Sequence, residues 1–187
     1  MATGKGQLPT LHPVTGFKLG IASAGIKTPG RKDLVVMEIA EGSTVAGLFT
    51  QNAFCAAPVT IAKAHLASTT PKYLLVNTGN ANAGTGEQGL SDALQSCDVL
   101  AAITSVKKDQ ILPFSTGVIG ELMPMDRLLK GLPIAAAALS EEGWADAAAA
   151  ILTTDTRAKG ASLQYGKGRK ITMTGITKGS GMIKPNM

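Results

Sequence analysis

Residues Lys72 to Gly89 read K-Y-L-L-V-N-T-G-N-A-N-A-G-T-G-E-Q-G. The run Lys72 to Asn77 is short, apolar and bounded by turn residues, as expected of a buried strand. It delivers the chain into a loop, Asn77 to Gly89, whose glycines and asparagines tolerate positive φ and leave backbone amides free to face a ligand. A helix is expected next, capped by Ser91 or Asp92 with Gln95 three residues after Asp92. Its apolar face is Leu94, Cys97, Ala101 and Thr104, flanked by Leu100 and Ile103, and it runs up to Lys107-Lys108. Strand, ligand-facing loop and covering helix form the unit around which the rest of the chain is arranged.

Upstream, residues 1 to 16 are polar and turn-rich and read as an arm. Phe17 to Ile21 and Leu34 to Ala40 read as strands, separated by the Gly25 to Lys32 turn region with its Pro29-Gly30 pair. Glu41-Gly42-Ser43 is expected to turn the second into a third strand, Thr44 to Thr50, giving a meander or hairpin pair. Gln51 to Pro58 is a loop, and Val59 to Leu66 reads as a short strand entering a helical turn. Downstream, Ile111 to Ser115 is strand-like, and Pro113 places it at an edge or a bulge. A helical pattern begins at Pro124, is interrupted by Gly131-Leu132-Pro133 and resumes over Ile134 to Leu139. Ser140-Glu141-Glu142 then caps a helix from Trp144 to Leu152 whose four consecutive alanines suit close packing on a sheet. Ala161 to Tyr165, a Gly166 to Arg169 turn and Lys170 to Ile176 return to strand. Strands, then helices, then strands imply an α+β or layered α/β fold, with helices covering mixed sheets, in one domain spanning residues 1–187.

Composition narrows the function. Hydrophobic residues at 44% and charged residues at 17% belong to a folded globular chain, not a disordered one. The formal charge of +5 is scattered, with short clusters at Arg31-Lys32, Lys107-Lys108 and Lys167 to Lys170. Aromatic residues at 4% are too few for base-stacking platforms, so nucleic-acid binding is not expected, and the basic balance suits small anionic substrates. Cys55 and Cys97 lack metal-ligand spacing and are read as buried free thiols. No signal-peptide core or membrane span stands out, so the cytoplasm is the expected compartment. His12 and His65 have no Ser, Cys or Asp in a recognised arrangement, and neither a P-loop nor H-E-x-x-H occurs. No metal and no cofactor is expected.

Two motifs carry chemistry on their residues alone. Gly84-x-Gly86-x-x-Gly89 matches a dinucleotide fingerprint literally, but several residues separate it from the strand end at Asn77, whereas the first glycine should follow the strand directly. Ser115-Thr116-Gly117 places a hydroxyl and an unhindered glycine amide at the end of a strand. Two such donors aimed at one point stabilise an oxyanion, and the ordinary alternative is a turn. Lys178, taken alone, reads as a solvated charge.

Five ordered segments extend this reading: F-T-Q-N-A-F-C-A-A-P at Phe49 to Pro58, N-T-G-N-A-N-A at Asn77 to Ala83, T-G-V-I-G at Thr116 to Gly120, T-T-D-T at Thr153 to Thr156, and K-G-S-G-M-I-K-P-N-M at Lys178 to Met187. Together they resemble the ornithine acetyltransferase (glutamate N-acetyltransferase) family. The resemblance implies an N-terminal-nucleophile-like fold completed by a second chain. In that family a precursor cleaves itself before a Thr, and the pattern places an Ala between Met187 and the break. This chain is therefore expected to be the α part of a longer precursor, with a β chain starting at that Thr and an α2β2 heterotetramer as the assembly. The implied reaction moves acetyl from N2-acetylornithine to glutamate, with acetyl-CoA as a further co-substrate the sequence leaves open. The implied residues are Thr116 and Gly117 for the oxyanion, and Lys178 with Thr153 or Thr154 for substrate, while Lys184 is given no role. The alternatives are a stand-alone nucleotide or anion-binding domain using the Asn77 to Gly89 loop, and an aminopeptidase-like hydrolase.

Overall fold

The computed structural model describes residues 6–168, 170–179 and 186–187. The remainder, including Arg169 of the expected turn and the Ser180–Pro185 part of the terminal motif, lies outside the described residues. Four strands, β1 (Phe17–Ala22), β2 (Leu34–Ile39), β3 (Tyr73–Asn80) and β4 (Ile111–Val118), form one sheet in the order β1-β2-β3-β4. β1, β2 and β3 pair antiparallel, and β4 joins β3 in parallel, so the sheet is mixed. The helices are α1 (Ala57–Ser68), α2 (Gly86–Thr104), α3 (Met125–Ala137) and α4 (Trp144–Ala150). A second sheet is the antiparallel hairpin of β5 (Lys159–Tyr165) and β6 (Ile171–Thr177).

The burial of β2 explains its unbroken apolar sequence. Leu34 and Val36 enter one cluster with Leu75, Cys97, Leu100, Leu128 and Leu132, beneath α2 and α3. Val35 and Met37 enter another with Leu19, Trp144, Ala147 and Ala150, beneath α4, with Ile176 of the hairpin at its margin. A strand covered on both faces has no polar side to alternate with. The result is layered: α2 and α3, then the sheet, then α4 and the hairpin.

Several expected boundaries move, each for a tertiary reason. Thr44 to Thr50 is irregular, with Leu48 83% exposed, because β1 and β3 already occupy both edges of β2. The opening is a hairpin without a third meander strand. Val59 to Leu66 is helical, within an α1 that carries Pro58 in its first turn, where a missing N–H costs nothing. Gly131-Leu132-Pro133 does not interrupt α3. A proline inside a helix costs about 3 kcal/mol, but burying Leu128 and Leu132 returns about 1.5–3 kcal/mol for each side chain. Gly131 is the close-approach point, since a Cβ there would meet Ala24 Cβ at 2.8 Å and Leu34 Cδ2 at 2.9 Å. Ser140 bonds the free edge of β1, with Leu19 N donating to its carbonyl at 2.8 Å and its own N donating to Leu19 at 3.2 Å.

Candidate active site

The parallel pair β3–β4 positions the site at the C-terminal ends of its strands. The expected Asn77 to Gly89 loop is in fact short: β3 continues through Asn80 and α2 begins at Gly86, after Thr85. Ser91 and Asp92 lie inside that helix and cap nothing. Gly86 and Gly89 are spent on its first turn, which removes the dinucleotide geometry.

Along β3–β4 the register pairs Asn77 with Ser115, Thr78 with Thr116 and Gly79 with Gly117, then shifts at Asn80. Gly79 and Gly117 both have positive φ, at 111° and 140°. A Cβ on Gly117 would lie 2.2 Å from the Gly79 carbonyl carbon, so only glycine lets the two backbones meet here. Thr116 is half-buried and Gly117 exposed, which leaves hydroxyl and amide side by side at the strand end.

Three buried asparagines hold this end rigid. Ser115 Oγ donates to Asn77 Oδ1 at 2.5 Å, and Asn77 Nδ2 donates to the Asn80 carbonyl at 2.8 Å. Asn80 Nδ2 donates to the carbonyls of Glu121 and Leu122 at 3.0 and 3.1 Å, and its Oδ1 accepts from Asn82 N at 2.7 Å. Asn82 Nδ2 reaches the Gly89 carbonyl at 2.8 Å. The signature N-T-G-N-A-N is thus a stitch between β3, the turn after β4 and the start of α2. Its asparagine side-chain amides all donate to backbone carbonyls.

A cavity of about 860 Å3 opens over this strand end and is lined by all five sequence-predicted residues, Thr116, Gly117, Thr153, Thr154 and Lys178. They come from β4, from the segment after α4 and from the residue after β6. Asp155 joins the last two: its carboxylate, almost wholly covered, accepts from Lys159 Nζ and from the Gly179 amide. Lys159 first, and then the Gly179 amide, hold this carboxyl below its ordinary range. The ion keeps Thr153-Thr154 next to Lys178. A second void, about 10 Å3 between β3, β4 and α2, is too small for a substrate.

Sequence reasoning missed another part of the lining. Lys27, Thr28, Arg31 and Asp33 also line the cavity, from the turn region between β1 and β2. Arg31 donates to the Leu152 carbonyl, just before Thr153. Asp33 accepts from Ala24 N at 2.7 Å and Ile26 N at 2.6 Å, which fixes the turn. The Arg31-Lys32 pair gave a signal, but one read as surface charge. Thr78, whose buried hydroxyl has no hydrogen-bond partner among the described residues, lines the cavity beside Thr116. At the C-terminal end, Gln51 N donates to the Asn186 carbonyl at 2.7 Å, next to the lining residues Thr50 and Asn52.

The bystanders behave as packing groups. His65 is buried with Nδ1 2.7 Å from the Ile111 carbonyl, and the His12 amide donates to Ser162 Oγ at 3.0 Å. Cys97 is a buried thiol as expected, and burial pushes it up to about 12. Cys55 is exposed, contrary to expectation, because the Gln51–Ala56 loop lies at the cavity rim and not under it. Among the described residues there is no cluster of His, Cys, Asp and Glu suited to a metal, and no helix long and apolar enough to cross a membrane.

The ArgJ family's sequence model matches residues 18–187, from the second residue of β1 to the last residue. The chain belongs to the ArgJ family. Over its whole length it is 61% identical to the arginine biosynthesis bifunctional protein ArgJ of Pseudomonas fluorescens, covering 46% of that protein. It is 55% identical to the protein of the same description from Methylococcus capsulatus, with 95% of this chain and 43% of that protein covered. The chain thus spans about half the length of these ArgJ relatives. Its fold is shared with a crystal structure of the Bacillus halodurans ArgJ protein, at TM-score 0.82 and 36% identity over 92% of this chain and 91% of that one. It is shared equally with the ornithine acetyltransferase of Mycobacterium tuberculosis crystallised with ornithine, at TM-score 0.84 and 32% identity over 92% of both chains. The α+β layered fold expected from the sequence is the fold of these structures.

Proposed function

We propose that this chain is the α part of an acetyltransferase that moves the acetyl group of N2-acetylornithine to glutamate by a ping-pong mechanism. The nucleophile is an N-terminal Thr on a β chain released from the same precursor beyond Met187. Its α-amine, with a reference pKa of about 7.7–8.0, takes the proton of its own hydroxyl, so no histidine is required. The hydroxyl oxygen attacks the acetyl carbonyl and the Thr116 hydroxyl and Gly117 amide receive the oxyanion. The C–N bond then breaks, ornithine leaves with the proton, and the glutamate amine reverses the sequence on the acetyl-Thr ester. Lys178 holds the substrate α-carboxylate as a point charge, and Thr153 and Thr154 supply hydroxyl contacts.

One observation carries this reading: residues from three separate segments spread over 62 positions of the chain, matched to the family only by motif, converge on one cavity above a glycine-paired strand end. The partner chain has separate support. Leu163, Tyr165, Ile171 and Met173 of the hairpin are all exposed, and Leu163 pairs with Met173 and Tyr165 with Ile171. A two-stranded sheet with an open apolar face is marginal by itself and suits a covering surface. The β chain is assigned to that role, in an α2β2 assembly in the cytoplasm, with no cofactor.

The test is intact-mass analysis of the full-length protein after N2-acetylornithine is added without an acceptor. One acetyl group should appear on a chain that starts with Thr, and its absence would falsify the mechanism. Thr116→Ala should lower the acetylation rate by about 10²–10³-fold, and Lys178→Ala should raise KM more than it lowers kcat. Acetyl-CoA supplied in place of the donor reads whether the protein accepts both.

A further inference from the structure

We infer that Lys27 selects the acceptor of this reaction by holding its second carboxylate, while Lys178 holds the α-carboxylate. The inference rests on the proposed function and concerns a residue outside the five sequence-predicted positions.

Lys27 is placed by a rigid frame although its side chain is exposed. Ile26 beside it is buried in the core, and its amide donates to Asp33 Oδ2 at 2.6 Å. The Lys27 Cβ then rests on the backbone of Gly79, where an added Cβ would come within 2.9 Å of it. Gly79 pairs with Gly117. The stem of Lys27 is therefore anchored over the strand pair that presents the proposed oxyanion donors, and the residue lines the cavity.

The charges in that cavity are asymmetric. Among the described lining residues the cations are Lys27, Arg31 and Lys178 and the one carboxylate is Asp33, an excess of two positive charges. Asp33 has committed both oxygens to the amides of Ala24 and Ile26. Arg31 is directed to the Leu152 carbonyl, and Lys178 Nζ donates to the Gly179 carbonyl at 2.8 Å. Lys27 has no hydrogen-bond or ion-pair partner among the described residues. A lining with two positive charges in excess matches a ligand with two carboxylates. Glutamate is such a ligand, whereas N2-acetylornithine has one carboxylate and a cationic side chain that Lys27 repels. A single site serving both must tell these side chains apart, and a charge that attracts one and repels the other is the direct means of doing so.

The test is made on the full-length protein carrying Lys27→Met, which keeps the stem and removes the charge, and Lys27→Arg, which keeps the charge. In Lys27→Met, the KM for glutamate should rise about tenfold, the equivalent of about 1.4 kcal/mol. Acetylation by N2-acetylornithine without an acceptor should stay within about twofold or improve, as repulsion is relieved. The preference for glutamate over glutamine as acceptor should fall by the same factor of about ten, and Lys27→Arg should restore most of it. An unchanged KM and an unchanged glutamate-to-glutamine preference would overturn the assignment. So would an equal loss in both half-reactions, which would mark a general role at the strand end. An effect confined to acetyl-CoA as donor would assign Lys27 to a phosphate of that donor and overturn the carboxylate reading. If the parent protein is not acetylated at all, the proposed function fails first, and that outcome is separate from any effect of Lys27.

Discussion

Replacing Gly117 by alanine should damage stability and chemistry together, and the size of each effect follows from one contact. At φ 140° a side chain is strained whatever space surrounds it, at a cost of about 1–3 kcal/mol. The new Cβ would also lie 2.2 Å from the Gly79 carbonyl carbon and 2.5 Å from Asn80 N, about 1 Å inside ordinary contact. Those atoms are backbone, on a strand held by the Asn77 and Asn80 side chains, so relief requires β3 and β4 to part. Overpacking of this kind costs a further 1–3 kcal/mol or so. The expected loss is about 2–6 kcal/mol, a large fraction of the roughly 5–15 kcal/mol that keeps a domain folded. A strand shift of about 1 Å also moves the Gly117 amide away from the proposed oxyanion position, which is worth about 10²-fold in rate. Denaturant midpoints and single-turnover acetylation of the full-length protein read the two effects separately. Gly175→Ala, on β6, is the control: nothing lies within 4 Å of its Cβ, and its stability should stay within about 0.5 kcal/mol of the parent. If Gly117→Ala behaves like Gly175→Ala in both assays, the close approach of β3 and β4 is not what shapes the site.

Two further outcomes are expected. Asn80→Ala removes the partners of the Glu121 and Leu122 carbonyls and of Asn82 N. It should destabilise the fold by about 1–3 kcal/mol, the cost of leaving the buried Asn82 amide unpaired, and kcat should fall more than KM rises. A kcat equal to that of the parent would separate the asparagine stitch from the oxyanion strand. The two cysteines should differ in reactivity. Burial holds Cys97 at about 12, so about one thiol in 10⁴ is ionised at pH 8, and iodoacetamide should modify the exposed Cys55 alone in the folded chain. Because this acid's pKa is raised by folding, its contribution to stability is full below pH 9.0 and declines as pH rises toward 12. Rapid double labelling at pH 8 would contradict the burial of Cys97.

Much of the fold was legible because its signals are local. The continuous apolar runs at Leu34 and Lys72, the Pro113 demotion of β4 to an edge, and the Gly166 turn of the hairpin all concern neighbours in sequence. The failures share one cause. Thr44 to Thr50 has strand composition but no free sheet edge to join. Val59 to Leu66 has β-branched residues but a proline placed to start a helix, and α3 runs through Gly131 and Pro133 because burial of its leucines outweighs both breakers. The glycines of Gly84-x-Gly86-x-x-Gly89 looked like a ligand loop and proved to be a helix start.

The division is the same at the site. The sequence by itself determined which chemical groups are on offer: a hydroxyl beside a glycine at a strand end, a lysine in a matched motif and no histidine in a recognised catalytic arrangement, each a property of residue type and order. The tertiary structure alone decided which residues share the cavity. Arg31 and Lys27 stand far from Thr116 in the chain and join it only through the turn that Asp33 holds against β3. Residue type sets what a group does, whereas its neighbours are set by strand register and by backbones close enough to require glycine.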